Sequence, residues 1–343
     1  MKPGKDGYNV AIVGATGAVG RTMLEILTTR QFPVDRLRLL ASSRSAGTVV
    51  ETAWGDLTIE DLAAADPAGI DIALFSAGAD RSRAFAGSFA AAGAVVIDNS
   101  SAFRSDPDIP LVVAGVNDHA AFAHRGIIAN PNCTTMVALM GVAPLARIAG
   151  LRRMVATSYQ SVSGSGMAAM DELVDQVAWF QKNRDALVFG GWEEPEVKIY
   201  SRPIGWNVLP FAGEMAEDGY TNEEWKLVNE SRKILDLPAL VVEPTCVRVP
   251  VMVGHGIAAS CYFDRPVDLQ EAIEAIKASP GVQVWADRVA TPLDSAGIDD
   301  VLVSRIRPTM SEDGGISLWA VGDNLRKGAA LNTIEIAEVL VAG

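Results

Sequence analysis

The sequence is poor in cysteine, and this shortage excludes several kinds of protein. Only three cysteines, Cys133, Cys246 and Cys261, occur in 343 residues. Three cysteines at these separations form neither a disulfide framework nor a Cys-x-x-Cys metal site. The sequence therefore predicts no metal centre, and it favours the reducing setting of the cytoplasm.

Positive charge is also scarce. The chain has 29 Lys and Arg against 42 Asp and Glu, which gives a formal net charge of −13. Nucleic acids and anionic membranes select for basic surfaces, so we expect neither as a partner. A small anionic substrate stays compatible with this charge, because a few local arginines can outweigh the global field.

Long apolar runs are interrupted or absent. The longest uncharged stretch, residues 126–146, has enough residues to span a bilayer, but Pro131 and Pro144 break it. The N-terminal stretch places Asp6 ahead of its first apolar run and has no cleavage pattern for a secretory leader. We therefore expect neither a transmembrane helix nor a leader.

The length favours two domains, and 49% apolar with 21% charged residues is typical of a globular protein. In the first half, short apolar runs alternate with helical patterns such as 21–29, which predicts βαβ units and a Rossmann-type parallel sheet. The predicted strands of this α/β domain are 10–13, 37–41, 70–76 and 94–98.

From about residue 151 the β-branched runs become more closely spaced, which predicts a second, α+β domain with a mostly antiparallel sheet. Its predicted strands are 153–160, 245–251, 256–263 and 300–306, and its predicted helices are 167–180 and 269–278. Residues 181–222 read as a long insertion punctuated by Gly and Pro. The last segment, 328–342, has the pattern of an amphipathic helix, which we expect to pack back on the first domain.

A glycine-rich loop follows the first predicted strand and leads into a helix. Gly14, Gly17 and Gly20 in this position let the backbone approach a pyrophosphate, which the N–H groups of the helix start then bind. The spacing is looser than the usual Gly-x-Gly-x-x-Gly, and a plain turn is the alternative. The predicted cofactor contacts in this loop are Gly14, Thr16, Gly17, Ala18 and Val19.

The end of the second strand bears on the choice of nucleotide. NAD enzymes commonly have an acidic residue there for the ribose 2′-hydroxyl. This chain has Ser42, Ser43 and Arg44, whose hydroxyls and guanidinium suit a 2′-phosphate, although a solvated polar turn is the alternative. We therefore predict NADP(H).

Cys133 lies between a polar Asn-Pro-Asn turn and an apolar helical run. The positive end of a helix dipole lowers the pKa of a thiol at the helix start and favours the thiolate. The alternative is a buried structural cysteine, which is our interpretation of Cys246 and Cys261.

A thiolate reaction needs a proton carrier, and only three histidines are present. His119 and His124 lie in a stretch that looks like an exposed helix and turn. His255 is flanked by two glycines between strands, which indicates close approach of a cofactor or substrate. Arg248, seven residues earlier, is a cation in an apolar strand that needs an anion, and a structural ion pair is the alternative.

Two further polar stretches follow predicted strands. Asn99, Ser100, Ser101 and Arg104 come after the fourth strand, at the carboxyl edge where open sheets bind ligands. Gln160 ends a strand of the second domain, ahead of a glycine-serine turn.

Taken together, seven motifs resemble those of the aspartate-β-semialdehyde dehydrogenase family, and the resemblance runs from about residue 8 to GDNLRKGAALNT near the C-terminus. The motifs are GATGAVG, ASSRSAG, DNSSAFR, NPNCTT, SYQSVSGSG, TNEEWK and RVPVMVGHG. NPNCTT and RVPVMVGHG carry more of the resemblance than the glycine loop does.

The resemblance implies reductive dephosphorylation of L-aspartyl-4-phosphate by NADPH, giving aspartate semialdehyde and phosphate, in lysine, threonine and methionine biosynthesis. His255 would balance the charge of the thiolate before attack and protonate the product oxygen. The implied roles are Cys133 as nucleophile, His255 as acid and base, Gln160 orienting the acyl-enzyme, Arg248 binding the substrate α-carboxylate, Glu223 binding its amino group, Arg104, Asn132 and Lys226 binding phosphate, and Ser163, Gly164 and Asn324 lining the nicotinamide side.

The resemblance also implies a domain division and an assembly. Residues 1–132 with 325–343 would form the NADP-binding domain, and residues 133–324 the catalytic and dimerisation domain of a homodimer or homotetramer. Two rival activities on the same fold are N-acetyl-γ-glutamyl-phosphate reductase, whose acylated substrate offers no free amine to Glu223, and an acyl-CoA reductase. A non-catalytic NADP-binding regulator is a third alternative, and it would make Cys133 merely structural.

Overall fold

The computed structural model describes residues 4–311 and 314–343. Two compact units divide the chain. The first comprises the residues up to Met136 together with Asn229–Pro238 and Leu325–Gly343, and the second comprises Val137–Val228 and Ala239–Asn324. Each unit contains its own six-stranded sheet.

The strands are β1 (Tyr8–Val13), β2 (Val34–Ala41), β3 (Val49–Thr52), β4 (Gly55–Thr58), β5 (Glu60–Asp61), β6 (Ile72–Phe75), β7 (Val95–Asp98), β8 (Ile127–Ala129), β9 (Leu151–Gln160), β10 (Val241–Arg248), β11 (His255–Phe263), β12 (Val282–Trp285), β13 (Val301–Pro308) and β14 (Ile316–Gly322). The α-helices are α1 (Ala18–Thr29), α2 (Ala79–Ala91), α3 (Cys133–Ala149), α4 (Met167–Lys182), α5 (Arg184–Phe189), α6 (Asn222–Ile234), α7 (Leu269–Lys277), α8 (Pro292–Ser295) and α9 (Leu331–Ala342). Short 3-10 helices cover Asp118–Ala123 and Val162–Ser165, and a π-helical turn covers Arg326–Ala330.

The sheet of the first unit has the order β5-β2-β1-β6-β7-β8, and every pair in it is parallel. This confirms the predicted Rossmann-type sheet. All four residues of β6 and of β7 are buried, as expected for strands covered on both faces. One face packs against α1 and α9, and the other packs against α2, where the rings of Phe75 and Phe89 meet edge to face at 5.2 Å.

The C-terminal helix belongs to the core of the first unit, as expected, but its burial differs from the amphipathic pattern. Residues 331–334 of α9 are buried in succession, so more than one face of the helix is covered. The polar members of that run, Asn332 and Thr333, are buried with their apolar neighbours and need partners inside the protein.

Prediction was least accurate for the polar strands of the first unit. Strand β2 begins three residues earlier than predicted, because Arg36 and Arg38 interrupt its apolar pattern. The hairpin of β3 and β4 was not predicted, because neither strand contains a fully buried residue. Strand register and sheet position, rather than local hydrophobicity, define such strands.

The sheet of the second unit has the order β10-β9-β11-β14-β13-β12. Its three inner pairs are antiparallel, as predicted for most of this sheet, whereas the outer pairs β10–β9 and β13–β12 are parallel, so the sheet is mixed. Pro244 is tolerated in β10 because that strand lies at the edge of the sheet. Strands β12 and β14 were missed by the sequence interpretation.

The predicted helices of the second unit are present, with α4 and α7 close to their expected bounds. The predicted insertion contains the short helix α5, and α6 begins at its end. Within residues 4–311 and 314–343, no helix has the length and apolar composition that crossing a membrane requires.

Candidate active site

The glycine loop joins β1 to α1. Its three glycines differ in backbone conformation and in the space around them. Gly14 has a φ of +93°, and a Cβ there would lie 2.2 Å from the carbonyl oxygen of Ser76. A Cβ on Gly20 would lie 2.3 Å from the carbonyl oxygen of Gly14. The fold therefore requires two of the three glycines for its own packing.

Gly17 has no such packing constraint. It is the N-cap of α1 with a φ of −73°, and a Cβ there would meet nothing closer than the carbonyl oxygen of Gly14 at 3.4 Å. Thr16 and Gly17 are exposed, and Ala18 and Val19 are half-buried. The loop therefore has an open backbone surface at a helix start, and this surface fits the pyrophosphate of a dinucleotide.

The loop after β2 is placed to meet the same ligand. Because β1 and β2 are neighbouring parallel strands, their carboxyl ends lie at one edge of the sheet. Ser42 is half-buried, its carbonyl oxygen accepts a hydrogen bond from the N–H of Ser45 at 2.8 Å, and Ser43 and Arg44 are exposed. No acidic residue occurs between Ala41 and Glu51. The hydroxyls and the guanidinium of this loop could hold the ribose end of a nucleotide cofactor.

Substituting single glycines tests this loop. We expect Gly17→Ala to fold normally but to weaken nucleotide binding about tenfold, because its methyl group would occupy the side that the pyrophosphate approaches. Gly14→Ala is expected to cost more than about 1 kcal/mol of unfolding free energy, because its φ is positive and its Cβ would clash. Dissociation constants for NADP and melting temperatures check both variants. Unaltered nucleotide binding in Gly17→Ala would contradict this position for the pyrophosphate.

Cys133 is the first residue of α3 and is half-buried. The side-chain oxygen of Asn132 accepts hydrogen bonds from the N–H groups of Thr134 at 2.9 Å and Thr135 at 3.4 Å. Asn132, predicted to bind phosphate, therefore caps α3 through Oδ1. The donors that a phosphate requires are on its other terminal atom, Nδ2.

The other two cysteines have the structural character predicted for them. Cys246 and Cys261 are fully buried, and burial raises the pKa of each thiol to about 12. Neither thiol is ionised at neutral pH. All three cysteines are among the described residues, and none forms a disulfide.

Arg104 is held beside the turn that leads to Cys133. Its Nε donates to the carbonyl oxygen of Asn130 at 2.9 Å, and its Nη2 donates to that of Asn99 at 2.7 Å. Its Nη1 lies 3.5 Å from Oε1 of Glu230. The first unit thus brings a guanidinium to the peptide segment that presents the thiol.

A buried network of polar side chains holds the loops to which Arg104 is hydrogen-bonded. Nδ2 of Asn332 donates to Oδ1 of Asn130 at 2.6 Å, and Nδ2 of Asn130 donates to Oδ1 of Asn99 at 2.5 Å. Nδ2 of Asn99 in turn donates to the hydroxyl of Thr333 at 2.6 Å. The two polar residues buried in α9 therefore find their partners in the loops that hold Arg104.

Asp98 lies beneath the same loops, at the end of β7. Burial raises the pKa of this carboxyl, against the opposing effect of hydrogen bonds from the hydroxyls of Ser100 and Ser82. Ser100, which the sequence interpretation placed among the ligand-binding residues, therefore orients the loop through Asp98.

In the second unit, His255 is buried and hydrogen-bonded. The N–H of Ser161 donates to Nδ1 of His255 at 3.1 Å, so the proton of the neutral ring belongs on Nε2. A Cβ on Gly164 would lie 3.4 Å from that Nε2. Gly164, which was predicted to line the nicotinamide side, therefore lies next to the ring nitrogen that carries the proton.

Asn324 joins the loops around His255, because its Oδ1 accepts hydrogen bonds from the hydroxyl of Ser161 and from the N–H of Gly254, both at 2.9 Å. It also shares hydrogen bonds with the hydroxyl of Ser163.

The two glycines that flank His255 lie against other atoms of the protein. A Cβ on Gly256 would lie 2.2 Å from the ring of Trp319, and a Cβ on Gly254, which has a φ of +98°, would lie 2.8 Å from the hydroxyl of Ser295. The atoms that approach these glycines belong to the protein. Protein atoms therefore explain these glycines without a ligand, and the close approach of a cofactor or substrate to His255 stays a prediction.

The surroundings of His255 keep its ring uncharged. Burial and, second, the nearby Arg248 lower the pKa of the ring to about 3, and the carboxylate of Glu223 only partly opposes this shift. The imidazole is therefore neutral at neutral pH and can donate a hydrogen bond through Nε2.

This depressed pKa makes stability depend on pH. An unfolded histidine titrates near pH 6.5, so between about pH 6.5 and about pH 3 the unfolded chain binds the additional proton. His255 therefore destabilises the fold as the pH falls through this window, by up to about 1.4 kcal/mol per pH unit. We expect His255→Gln to lose this part of the pH dependence, as measured by urea midpoints at about pH 7 and about pH 5. The exposed His119→Gln is the control, and equal slopes in both variants would contradict the expectation.

Arg248 is buried in β10 and directed at the loop after β9. Its Nη1 donates to the carbonyl oxygen of Ser161 at 2.7 Å, and the ring of Tyr200 lies 5.7 Å away. Its Nε is buried without a hydrogen-bond partner. An unsatisfied N–H on a buried guanidinium is costly, and an anionic ligand would satisfy it.

The other predicted substrate residues of this unit contact one another. Nε2 of Gln160 donates to Oε1 of Glu223 at 3.3 Å, and Nζ of Lys226 lies 2.9 Å from Oε2 of Glu223. Glu223 and Lys226 are one turn apart near the start of α6. The structure thus brings Gln160, Glu223 and Lys226 together.

The predicted site residues are divided between the two units. The first unit contains Gly14, Thr16, Gly17, Ala18, Val19, Ser42, Ser43, Arg44, Arg104, Asn132 and Cys133, and the second contains Gln160, Ser163, Gly164, Glu223, Lys226, Arg248, His255 and Asn324. Sequence reasoning missed Glu230, Lys233 and Asn332, whose partners are distant in the chain. No group of three His, Cys, Asp or Glu side chains in the described part of the chain is placed to hold a metal ion.

Comparison with known proteins gives matches over nearly the whole chain. Residues 9–124 match the family described as semialdehyde dehydrogenase, NAD binding domain, and residues 142–327 match semialdehyde dehydrogenase, dimerisation domain. The aspartate-semialdehyde dehydrogenase of Streptomyces akiyoshiensis is 50% identical over 97% of this chain and 98% of its own length. The aspartate-semialdehyde dehydrogenase of Mycolicibacterium smegmatis is 47% identical over 97% of this chain and 99% of its own length. The crystal structure of aspartate semialdehyde dehydrogenase II complexed with ASA from Vibrio cholerae is similar with a TM-score of 0.93, 42% identity, and coverage of 98% of this chain and 99% of that chain.

Proposed function

Because the chain belongs to the aspartate-semialdehyde dehydrogenase family, a family of oxidoreductases, we propose that it catalyses the NADPH-dependent reductive dephosphorylation of L-aspartyl-4-phosphate. The products are L-aspartate 4-semialdehyde and phosphate, in the biosynthesis of lysine, threonine and methionine. The observation that carries this proposal is that Arg104 is hydrogen-bonded to the turn that precedes Cys133 at the start of α3.

The residues of the chain supply a nucleophile, an anion site and a hydrogen-bond donor for the oxyanion. The thiolate of Cys133 attacks the acyl carbon, a C–S bond forms, and the C–O bond to phosphate breaks. Arg104 binds the departing phosphate, with Lys226 and Nδ2 of Asn132 as further donors. The glycine loop with Ser42, Ser43 and Arg44 would hold NADPH, which when bound would supply the hydride for reduction of the thioester.

The second unit binds and orients the substrate. Arg248 binds the α-carboxylate, Glu223 binds the ammonium group, and Gln160 orients the acyl group. His255 donates a hydrogen bond from Nε2 to the oxygen that carries negative charge after reduction, and it keeps its proton. Collapse of this oxyanion re-forms the carbonyl and breaks the C–S bond, which releases the aldehyde and the thiolate. A neutral ring has no charge with which to balance a thiolate, and loss of its remaining proton would leave an imidazolate, so we propose hydrogen-bond donation as the role of His255.

We assign nucleotide binding to residues 1–132 with 325–343, and catalysis and dimerisation to residues 133–324. A homodimer, or a pair of dimers, is supported by the family match to a dimerisation domain and by large apolar side chains exposed on the second unit. The most exposed of these at positions 167–241 are Met167, Val174, Val188, Phe189, Val208 and Met215.

A cytoplasmic location is part of the same proposal and follows from the cysteine content.

An assay with the purified protein tests the proposed function. We expect phosphate-dependent reduction of NADP by aspartate semialdehyde and little turnover of N-acetylglutamate semialdehyde, which has no free amine for Glu223. Coenzyme A in place of phosphate tests the acyl-CoA alternative. Preference for the N-acetylated substrate or for coenzyme A would overturn the proposal, and equal rates with NAD and NADP at low concentration would overturn the assignment of NADP.

A further inference from the structure

Glu230 is a buried carboxylate to which the reaction outlined above gives no role. It lies in α6, in the short segment Asn229–Pro238 that belongs to the first unit, and is 4% exposed. Its Oε2 accepts a hydrogen bond from the backbone N–H of Asn132 at 2.7 Å. Its Oε1 lies 3.5 Å from Nη1 of Arg104. One side chain thus contacts both the residue before the nucleophile and the guanidinium assigned to phosphate.

The two contacts differ in strength. A buried carboxylate is costly unless it is hydrogen-bonded and paired, and the bond to Asn132 has the short length of a charge-assisted hydrogen bond. The contact with Arg104 is longer than the two bonds that Arg104 makes to backbone carbonyl oxygens. Glu230 therefore fixes the peptide before Cys133 firmly and binds Arg104 weakly.

The next turn of the same helix fixes the loop that carries Arg104. Nζ of Lys233 donates to the backbone carbonyl oxygens of Arg104, Asp106 and Ile109 at 3.0, 2.5 and 2.8 Å. With the backbone of this loop held by Lys233, the guanidinium has a defined distance to Glu230 before any anion binds.

We propose that Glu230 is a positioning residue that holds the Asn132–Cys133 peptide in place and competes with phosphate for Arg104. The proposal rests on the proposed function, because it takes phosphate as the leaving group and, in the reverse direction, as the substrate. The negative charge lowers the affinity for phosphate and thereby favours its release, while the hydrogen bond keeps the thiol at the start of α3.

Two substitutions separate the charge from the hydrogen bond. Glu230→Gln keeps an oxygen that can accept from Asn132 but removes the charge, so we expect KM for phosphate to fall about threefold with kcat little changed. Glu230→Ala also removes the acceptor, so we expect kcat to fall at least about tenfold.

Glu224→Gln is the matched control. Glu224 is a buried carboxylate in the same helix and accepts hydrogen bonds from the N–H groups of Thr221 and Cys246 rather than from Asn132. The Glu224→Gln variant is expected to lower the stability of the fold, because it replaces a buried carboxylate acceptor, while KM for phosphate stays unchanged.

Labelling of Cys133 by a thiol reagent gives a readout that does not need turnover. Inorganic phosphate is expected to protect Cys133 in Glu230→Gln at about one third of the concentration that the wild type requires. In the absence of phosphate, Glu230→Ala should change the labelling rate at least about threefold, because the peptide before the thiol is no longer held. Equal protection in Glu230→Gln and wild type, or equal labelling rates in wild type and Glu230→Ala, would overturn the proposal.

The two hypotheses fail separately. If the wild type showed no phosphate-dependent turnover, the proposed function would be wrong, and the labelling rates without phosphate would still decide the positioning role of Glu230. If Glu230→Ala did not fold, the comparison of Glu230→Gln with Glu224→Gln would decide it.

Discussion

Cys133→Ser is expected to lower phosphate-dependent turnover of aspartate semialdehyde at least about a thousandfold, because a serine hydroxyl does not ionise at neutral pH and forms an ester rather than a thioester. The thiol is half-buried at the first residue of α3, where the helix dipole favours its anion. The kcat of the purified variant, measured beside its melting temperature, checks the prediction.

Cys261→Ala is the control for this variant. Cys261 is fully buried in β11, and burial raises the pKa of its thiol to about 12, so it contributes packing and no chemistry. We expect lower stability, by about 1 kcal/mol, with unchanged kcat. Substantial turnover by Cys133→Ser, or a comparable loss of kcat in Cys261→Ala, would show that the nucleophile has been misassigned.

Arg248→Leu is expected to raise KM for aspartate semialdehyde about a hundredfold, because it removes the buried cation assigned to the substrate carboxylate. The Nε of Arg248 is buried without a hydrogen-bond partner, and this is the strongest indication that a ligand satisfies it. Arg248→Lys keeps the charge but loses the planar pair of donors, so an intermediate KM is expected. Steady-state kinetics with each variant measure both effects.

Arg153→Leu is a matched control for Arg248. The Nε of Arg153 is likewise buried and unpartnered, but its guanidinium lies 2.8 Å from Glu243 and over the ring of Tyr262. We expect its loss to leave KM unchanged. A similar rise of KM in Arg153→Leu would mean that general destabilisation, rather than substrate binding, explains the effect of Arg248→Leu.

Local patterns predicted the parts of the site that local chemistry determines. The strand, glycine loop and helix start around Gly14 are adjacent in the chain, so the sequence was sufficient to place them. The start of α3 at Cys133 also follows from a local signal, an asparagine before an apolar run. His255 was selected partly for its flanking glycines, and the structure shows that these glycines make room for Trp319 and Ser295.

The parts that were missed depend on contacts between distant residues. Glu230 binds a peptide 98 residues away, and Asn332 binds Asn130 across 202 residues. A glutamate in a helix and an asparagine in an apolar segment have no local signature that separates them from solvated or capping residues. Strand β14 was missed for a related reason, because its pairing with β11 and β13, rather than its composition, places it inside the sheet.

The first unit is built from segments that are distant in the chain, and this affects how it folds during synthesis. Leu331 and Ile334 of α9 share a core with Met23 of α1, and Asn332 supports the turn before Cys133. During synthesis α9 leaves the ribosome after all the strands of the first unit, so the nucleotide-binding sheet is made before one of its covering helices. Although its glycine loop is synthesised long before α9, this unit acquires its complete core only after α9 has emerged.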